Sequence, residues 1–146
     1  MILPILTYPD PVLKKKSEEI KDPNDPKIRE LILDMVDTLN NTSEGLALAA
    51  PQVGQSVRIF VMRWNRETYI FINPKIKSKS FRKELMEEGC LSFPGEFFPV
   101  KRHKKVTVEA MDRKGREVEI EAEGVMSQAL QHEIDHLDGI LFIDRK

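Results

Sequence analysis

Apolar and polar positions alternate with different periods along this chain, and each period predicts a different element. Residues 1–25 carry Pro4, Pro9, Pro11 and Pro23 with no sustained period, which predicts an irregular arm. The triplet Lys14, Lys15 and Lys16 within it reads as a solvated surface run. From Pro26 onward, Ile28, Leu31, Ile32, Met35, Val36 and Leu39 recur at helical spacing. Asp25 suits the N-cap, Pro26 the first helical position, and Asn40-Asn41 the end. This stripe reads as core packing. Gly45 to Gly54 passes from small residues to Pro51 and Gly54, so it reads as a short strand entering a turn. Val57–Met62 and Tyr69–Ile72 are rich in strand-forming residues. A less regular stretch follows and leads to Glu87–Ser92. Phe93–Val100, with its Pro, Gly and Phe residues, reads as a shaped loop.

Two clearer patterns close the chain. Val106, Val108 and Ala110 alternate with polar residues, as do Val118, Ile120 and Ala122, around a turn at Asp112–Gly115. That predicts a hairpin with one buried face. Glu117, Glu119, Glu121 and Glu123 then line a solvated edge, and the cluster Lys101–Lys105 before the hairpin is expected to face water. A last helix runs from after Gly124 to about Asp138, with Gly139 as its C-terminal cap. One stripe of this helix holds Val125, Ala129, His132 and His136. A second, polar stripe holds Gln128, Gln131, Asp135 and Asp138. Imidazoles on an apolar helix face need partners.

Composition narrows the picture. At 146 residues the chain suits one domain, 1–146, able to bury a core without disulfides. Its net charge of -1 gives no support to a DNA-binding or membrane-surface role. Met1–Leu6 is apolar but short, lacks a basic leader and contains Pro4, so it is not read as a signal peptide. No apolar run approaches the roughly 20 residues of a membrane span. Cys90 is the single cysteine, which fits a reducing compartment, and its thiol needs an explanation.

His132-Glu133-Ile134-Asp135-His136 carries the strongest chemical signal. Histidines four apart lie one above the other on a helix and can share one metal ion. Glu133, next to the first, can reach water at that ion as general base. A catalytic metal usually has three protein ligands and an open position. Cys90 is the natural third candidate, since a thiolate at about 2.3 Å with two imidazoles suits zinc or ferrous iron. The third histidine, His103, is the rival, but it stands among lysines that disfavour a cation.

Three separated motifs resemble the peptide deformylase family. Gly45–Gln52 is similar to that family's GxGLAAxQ, Glu88–Ser92 to its EGCxS, and Gln131–His136 to its QHExDH. Tyr8–Leu13 is similar to the family's usual start, so the resemblance covers essentially the whole chain. It implies an α+β fold: antiparallel β-sheets packed around a central metal-binding helix, with the first helix on the outside. It also implies a metal-dependent hydrolase that removes the formyl group from N-terminal formylmethionine of nascent polypeptides and releases formate. In that reading Cys90, His132 and His136 are metal ligands, and Glu133 is general base and then general acid. Gln52 and the backbone N–H of Leu91 donate to the substrate carbonyl oxygen. Gly45, Leu46 and Ala47 run antiparallel to the bound peptide. The resemblance further implies Fe2+ as the ion in vivo, with Zn2+, Ni2+ or Co2+ as substitutes. N-formylmethionyl peptides are the implied partners, with a transient ribosome contact; a cytoplasmic location is expected because no transit segment is visible, and the charge and hydropathy above lead to no DNA or membrane partner.

The chemistry of a formamide suits those roles. A bound metal lowers the pKa of water to about 7, Glu133 moves the proton, and one oxyanion donor is worth about 10²–10³ in rate. Val125 and Ala129, on the histidine stripe, and more weakly Met86, are the expected lining of the methionine pocket. Glu88 is expected to orient a ligand or to pair with Arg102. Two departures stand out. Ala47 replaces the second glycine of the first motif, and Phe97 and Phe98 stand in an unusual loop whose role the sequence leaves open. Ten residues follow His136, too few for the further C-terminal helix of many members, so ribosome docking by that route is not expected. The same ten contain no His or Cys, which disfavours a zincin-like peptidase needing a downstream third ligand. A metal-stabilised binding domain is the other rival. It would have lost Glu133 or Gln52, and both are present.

Overall fold

A computed structural model describes residues 1–43 and 45–145. The arm over residues 1–25 is irregular apart from a short 3-10 turn at Pro11–Lys14. Helix α1 spans Pro26–Asn40, as the apolar spacing requires. The Asp25 carboxylate accepts from the Lys27 N–H at 2.8 Å, satisfying one of the orphan donors of the first turn. Its buried face, Ile32, Met35 and Leu39, packs against one side of a sheet.

That sheet has five antiparallel strands in the order β1-β2-β3-β6-β7. They are β1 (Ala47–Ala49), β2 (Ile59–Trp64), β3 (Glu67–Lys79), β6 (Lys105–Met111) and β7 (Glu117–Glu123). The continuous apolar run Ile59–Met62 is buried on both faces. Ile59 and Val61 meet α1, while Phe60 and Met62 meet the second helix. Phe60 pairs with Phe71 on β3, and their rings stack at 4.5 Å. The β6–β7 hairpin turns where Asp112–Gly115 predicted, and its glutamates line the exposed edge.

Helix α2 spans Val125–Leu137. Leu130, Ile134 and Leu137 pack on the sheet. Its other side lies under a separate two-stranded sheet, β4 (Lys83–Cys90) with β5 (Phe93–His103). Most of the helix is therefore enclosed, and Gln128, Gln131 and Asp135 of its polar stripe are buried as well as His132 and His136. Gly139 ends it at φ +75, and a Cβ there would lie 2.5 Å from the Lys14 carbonyl oxygen. Only glycine lets the arm approach that closely.

The β4–β5 hairpin corrects three expectations. Lys83–Cys90 and Phe93–His103 are strands, where the sequence suggested a less regular stretch and a shaped loop. Their period of two is disguised because the inward positions are partly charged: Glu88 and Arg102 face inward with Met86, Phe98 and Val100, while Leu85 and Phe97 face water. A cross-strand ion pair thus occupies sites where a sequence pattern calls for apolar residues. For the same reason the cluster Lys101–Lys105 does not face water uniformly. Lys101 and Lys105 are exposed, but Arg102 is only 4% exposed.

Candidate metal centre

His132 and His136 stand one turn apart on α2, with ring centroids 4.9 Å from each other. Cys90 ends β4 and brings its Sγ to 3.3 Å from His136 Nε2. One ligand atom from each of the three lies within 4.8 Å of the others. His103 is elsewhere, its Nδ1 at 2.7 Å from the Ser80 carbonyl oxygen.

The donors are backed by a buried charged group. Glu88 Oε1 accepts from His132 Nδ1, which leaves the other ring nitrogen of His132 for an ion. Arg102 grips the same carboxylate with two nitrogens, at 3.0 and 2.6 Å. Glu88 therefore contacts His132 and pairs with Arg102 at once. Burial pushes the Glu88 carboxyl up, but the hydrogen bonds from His132 and Arg102 outweigh it and hold the pKa at about 2.

The remaining groups fit a divalent cation. Burial disfavours a proton on His132, yet hydrogen bonds to Cys90 and Glu88 raise its pKa to about 10. The proton so attracted marks a strong demand for positive charge, which an ion would meet in its place. Burial lowers the pKa of His136 and keeps that ring neutral, as a ligand must be. Glu133 is buried, and its Oε2 has no hydrogen-bond partner among the described residues. Burial raises its pKa to about 7, against the charge of His132. An unpaired buried carboxyl oxygen costs free energy and is retained where a ligand or reactant uses it.

Gln52 reaches the site from the turn after β1. It is 1% exposed; its Oε1 accepts from the Ala49 N–H at 2.9 Å, and its Nε2 donates to Ser92 Oγ at 3.1 Å with Cys90 Sγ at 3.7 Å. The three sequence motifs therefore meet at one place.

A cavity of about 420 Å³ opens beside these groups. Gly45, Leu46, Ala47, Gln52, Glu88, Cys90, Leu91, Ala129, His132 and Glu133 all line it. Val125 and Met86 are not among its lining residues. Val125 is 49% exposed and lies about 10.5 Å along the helix axis from His132. Met86 faces inward but about one strand repeat further from Cys90 than Glu88. The wall is completed by residues the sequence did not assign, among them Phe93, Phe97, Gly89 and Gln128. Phe97 lies across Gly89, where a Cβ would stand 2.4 Å from the ring, while Phe98 turns inward and stacks on Phe142 at 4.3 Å. Gln128 had a signal, its place on the polar stripe. For Phe97 the sequence left the role open, because its exposed ring reaches the cavity rim only by lying over Gly89 of the paired strand.

A family model for polypeptide deformylase matches residues 2–146. The peptide deformylase of Thermodesulfovibrio yellowstonii is 48% identical over 149 residues, covering 99% of this chain and 88% of that protein. The crystal structure of peptide deformylase from Thermotoga maritima aligns with a TM-score of 0.94 at 39% identity, covering 99% of this chain and 97% of that one. That of Ehrlichia chaffeensis in complex with actinonin aligns with a TM-score of 0.94 at 40% identity, covering 99% and 88%.

Proposed function

The chain belongs to the polypeptide deformylase family, and from that premise we propose how its own residues carry the reaction. It is a metal-dependent hydrolase that removes the formyl group from the N-terminal formylmethionine of nascent polypeptides and releases formate. Cys90, His132 and His136 hold one divalent ion, and residues 1–146 act as one catalytic domain. The observation that carries this reading is three donor atoms within 4.8 Å of one another beside the unpaired Oε2 of Glu133.

When bound, the ion supplies Lewis acidity and lowers the pKa of water to about 7. Glu133 takes the proton of the attacking water on its carboxylate and returns it to the leaving nitrogen of methionine. Burial raises the pKa of this carboxyl, the direction that lets it hold the proton between the two halves of that transfer. Gln52 Nε2 and the Leu91 N–H donate to the former formyl oxygen as negative charge builds on it. Gly45, Leu46 and Ala47 run beside the substrate backbone, and Ala129 bounds the pocket for the methionine side chain. Glu88 sets the ring of His132, and Arg102 sets Glu88. The ion is Fe2+ in the cell, with Zn2+, Ni2+ and Co2+ accepted by the same thiolate and imidazole donors. The place of action is the cytoplasm, where nascent chains are met through a transient contact with the ribosome.

Formate release from a short formyl-methionyl peptide tests this reading. Protein is loaded without oxygen with iron, nickel or zinc and compared with Glu133→Ala. Turnover should disappear in the variant while its ion stays bound. A variant that still turns over removes Glu133 from the mechanism.

A further inference from the structure

Asp135 and Arg145 have no part in the chemistry above, yet they form the outer half of a charged chain that ends on a metal-ligand residue. Asp135 lies on α2 between Glu133 and His136, and its side chain is buried. Its Oδ2 accepts from Arg102 Nη1 at 2.5 Å and from Arg145 Nε at 2.5 Å, and its Oδ1 accepts from Arg145 Nη2 at 2.9 Å. Arg102 gives its other two nitrogens to Glu88, and Glu88 bonds to His132 Nδ1. The signs alternate from Arg145 inward, so every buried charge has opposite charges beside it.

Arg102 is shared between two carboxylates, and Arg145 decides how it is shared. With a two-nitrogen grip from Arg145, Asp135 needs only one bond from Arg102, and the fork of Arg102 stays on Glu88. Without Arg145, Arg102 would be the only charged partner of buried Asp135 among the described residues, and Asp135 would draw the guanidinium away from Glu88. A second contact points the same way. The 3-10 turn Phe142–Arg145 also places the Phe142 ring 5.7 Å from the ring of His132. The C-terminal turn therefore bears on this imidazole by packing and through ions.

We propose that Arg145 and Asp135 are positioning residues that hold the imidazole of His132 in place through Arg102 and Glu88, so that the C-terminal turn sets how tightly the ion is held. This rests on the reading that Cys90, His132 and His136 are the ligands.

The test uses the full chain loaded with Co2+, whose absorption reports ligand geometry and whose affinity is measured by competition with a chelator. Partners of ligating histidines are worth about 10- to 100-fold in metal affinity. Arg145→Gln should weaken Co2+ binding about tenfold and shift the ligand-field bands. Arg145→Lys should restore part of both. Arg116→Gln removes an exposed arginine paired with Asp112 and should change neither. An Arg145→Gln protein with native affinity and a native spectrum overturns the proposal, even if it melts earlier, because the arginine then only ties down the turn. Native protein showing no thiolate-to-cobalt absorption overturns the ligand assignment itself, a failure distinct from that of Arg145.

Discussion

Replacing Gln52 with leucine keeps the volume of a fully enclosed side chain and removes all its polar atoms. Two consequences follow from its contacts, and their sizes differ enough to separate them. The Ala49 N–H loses its partner at 2.9 Å inside the protein, and the donor to Ser92 Oγ at 3.1 Å is lost. A buried orphaned donor costs about 1–3 kcal/mol, so a loss of about 2 kcal/mol and on the order of 4–8 °C in Tm is expected. If Gln52 also donates to the developing oxyanion, kcat should fall about 10²–10³, equivalent to about 2.7–4 kcal/mol. Unfolding cannot mimic that fall. A domain of ordinary stability, about 5–15 kcal/mol, stays more than about 99% folded after losing 2 kcal/mol. The assay is kcat and KM for formate release at equal metal content, beside a thermal melt. A lower Tm with kcat within about threefold of native refutes the reasoning and leaves Gln52 as a brace between the turn after β1 and the strand carrying Cys90.

Ala129→Phe should fill the cavity next to His132 and abolish turnover of formyl-methionyl peptides with the ion retained; unchanged KM and kcat would remove Ala129 from the pocket. Stripping the ion with a chelator should lower Tm and abolish activity, and refilling should restore both. At an ion concentration of 100 times Kd the bound form is favoured by about 2.7 kcal/mol, so an unchanged melt would argue against an ion in this site. Phe60→Ala removes one ring of the stacked pair at the centre of the sheet and should cost about 3–5 kcal/mol by denaturant titration. A cost under about 1 kcal/mol would show that the Phe60–Phe71 stack is not a centre of the core.

Much of this protein is written in local periods. Helix α1, the β6–β7 hairpin and the bounds of α2 were legible because a cap, a turn or a repeat of 3.6 or 2 acts over neighbouring residues. The alignment of His132 with His136 belongs to the same class, since one helical turn suffices to create it. Cys90 became legible through its motif, although nothing local brings β4 to α2.

Tertiary structure decided the rest. The sequence offered Arg102 as a partner for Glu88 but no local signal that it is buried, because only the pairing of β4 with β5 turns it inward onto Glu88 and Asp135. It could not show that the polar stripe of α2 is buried, because burial of Gln128, Gln131 and Asp135 depends on partners from distant segments. Val125 shares the histidine stripe yet stays outside the cavity, since helical phase sets a direction and not how far along the axis the cavity extends. Local sequence chose the two helices, among them the one that carries His132 and His136, and the β6–β7 hairpin. The long-range ion pairs that make a buried polar surface tolerable exist only once the chain has folded.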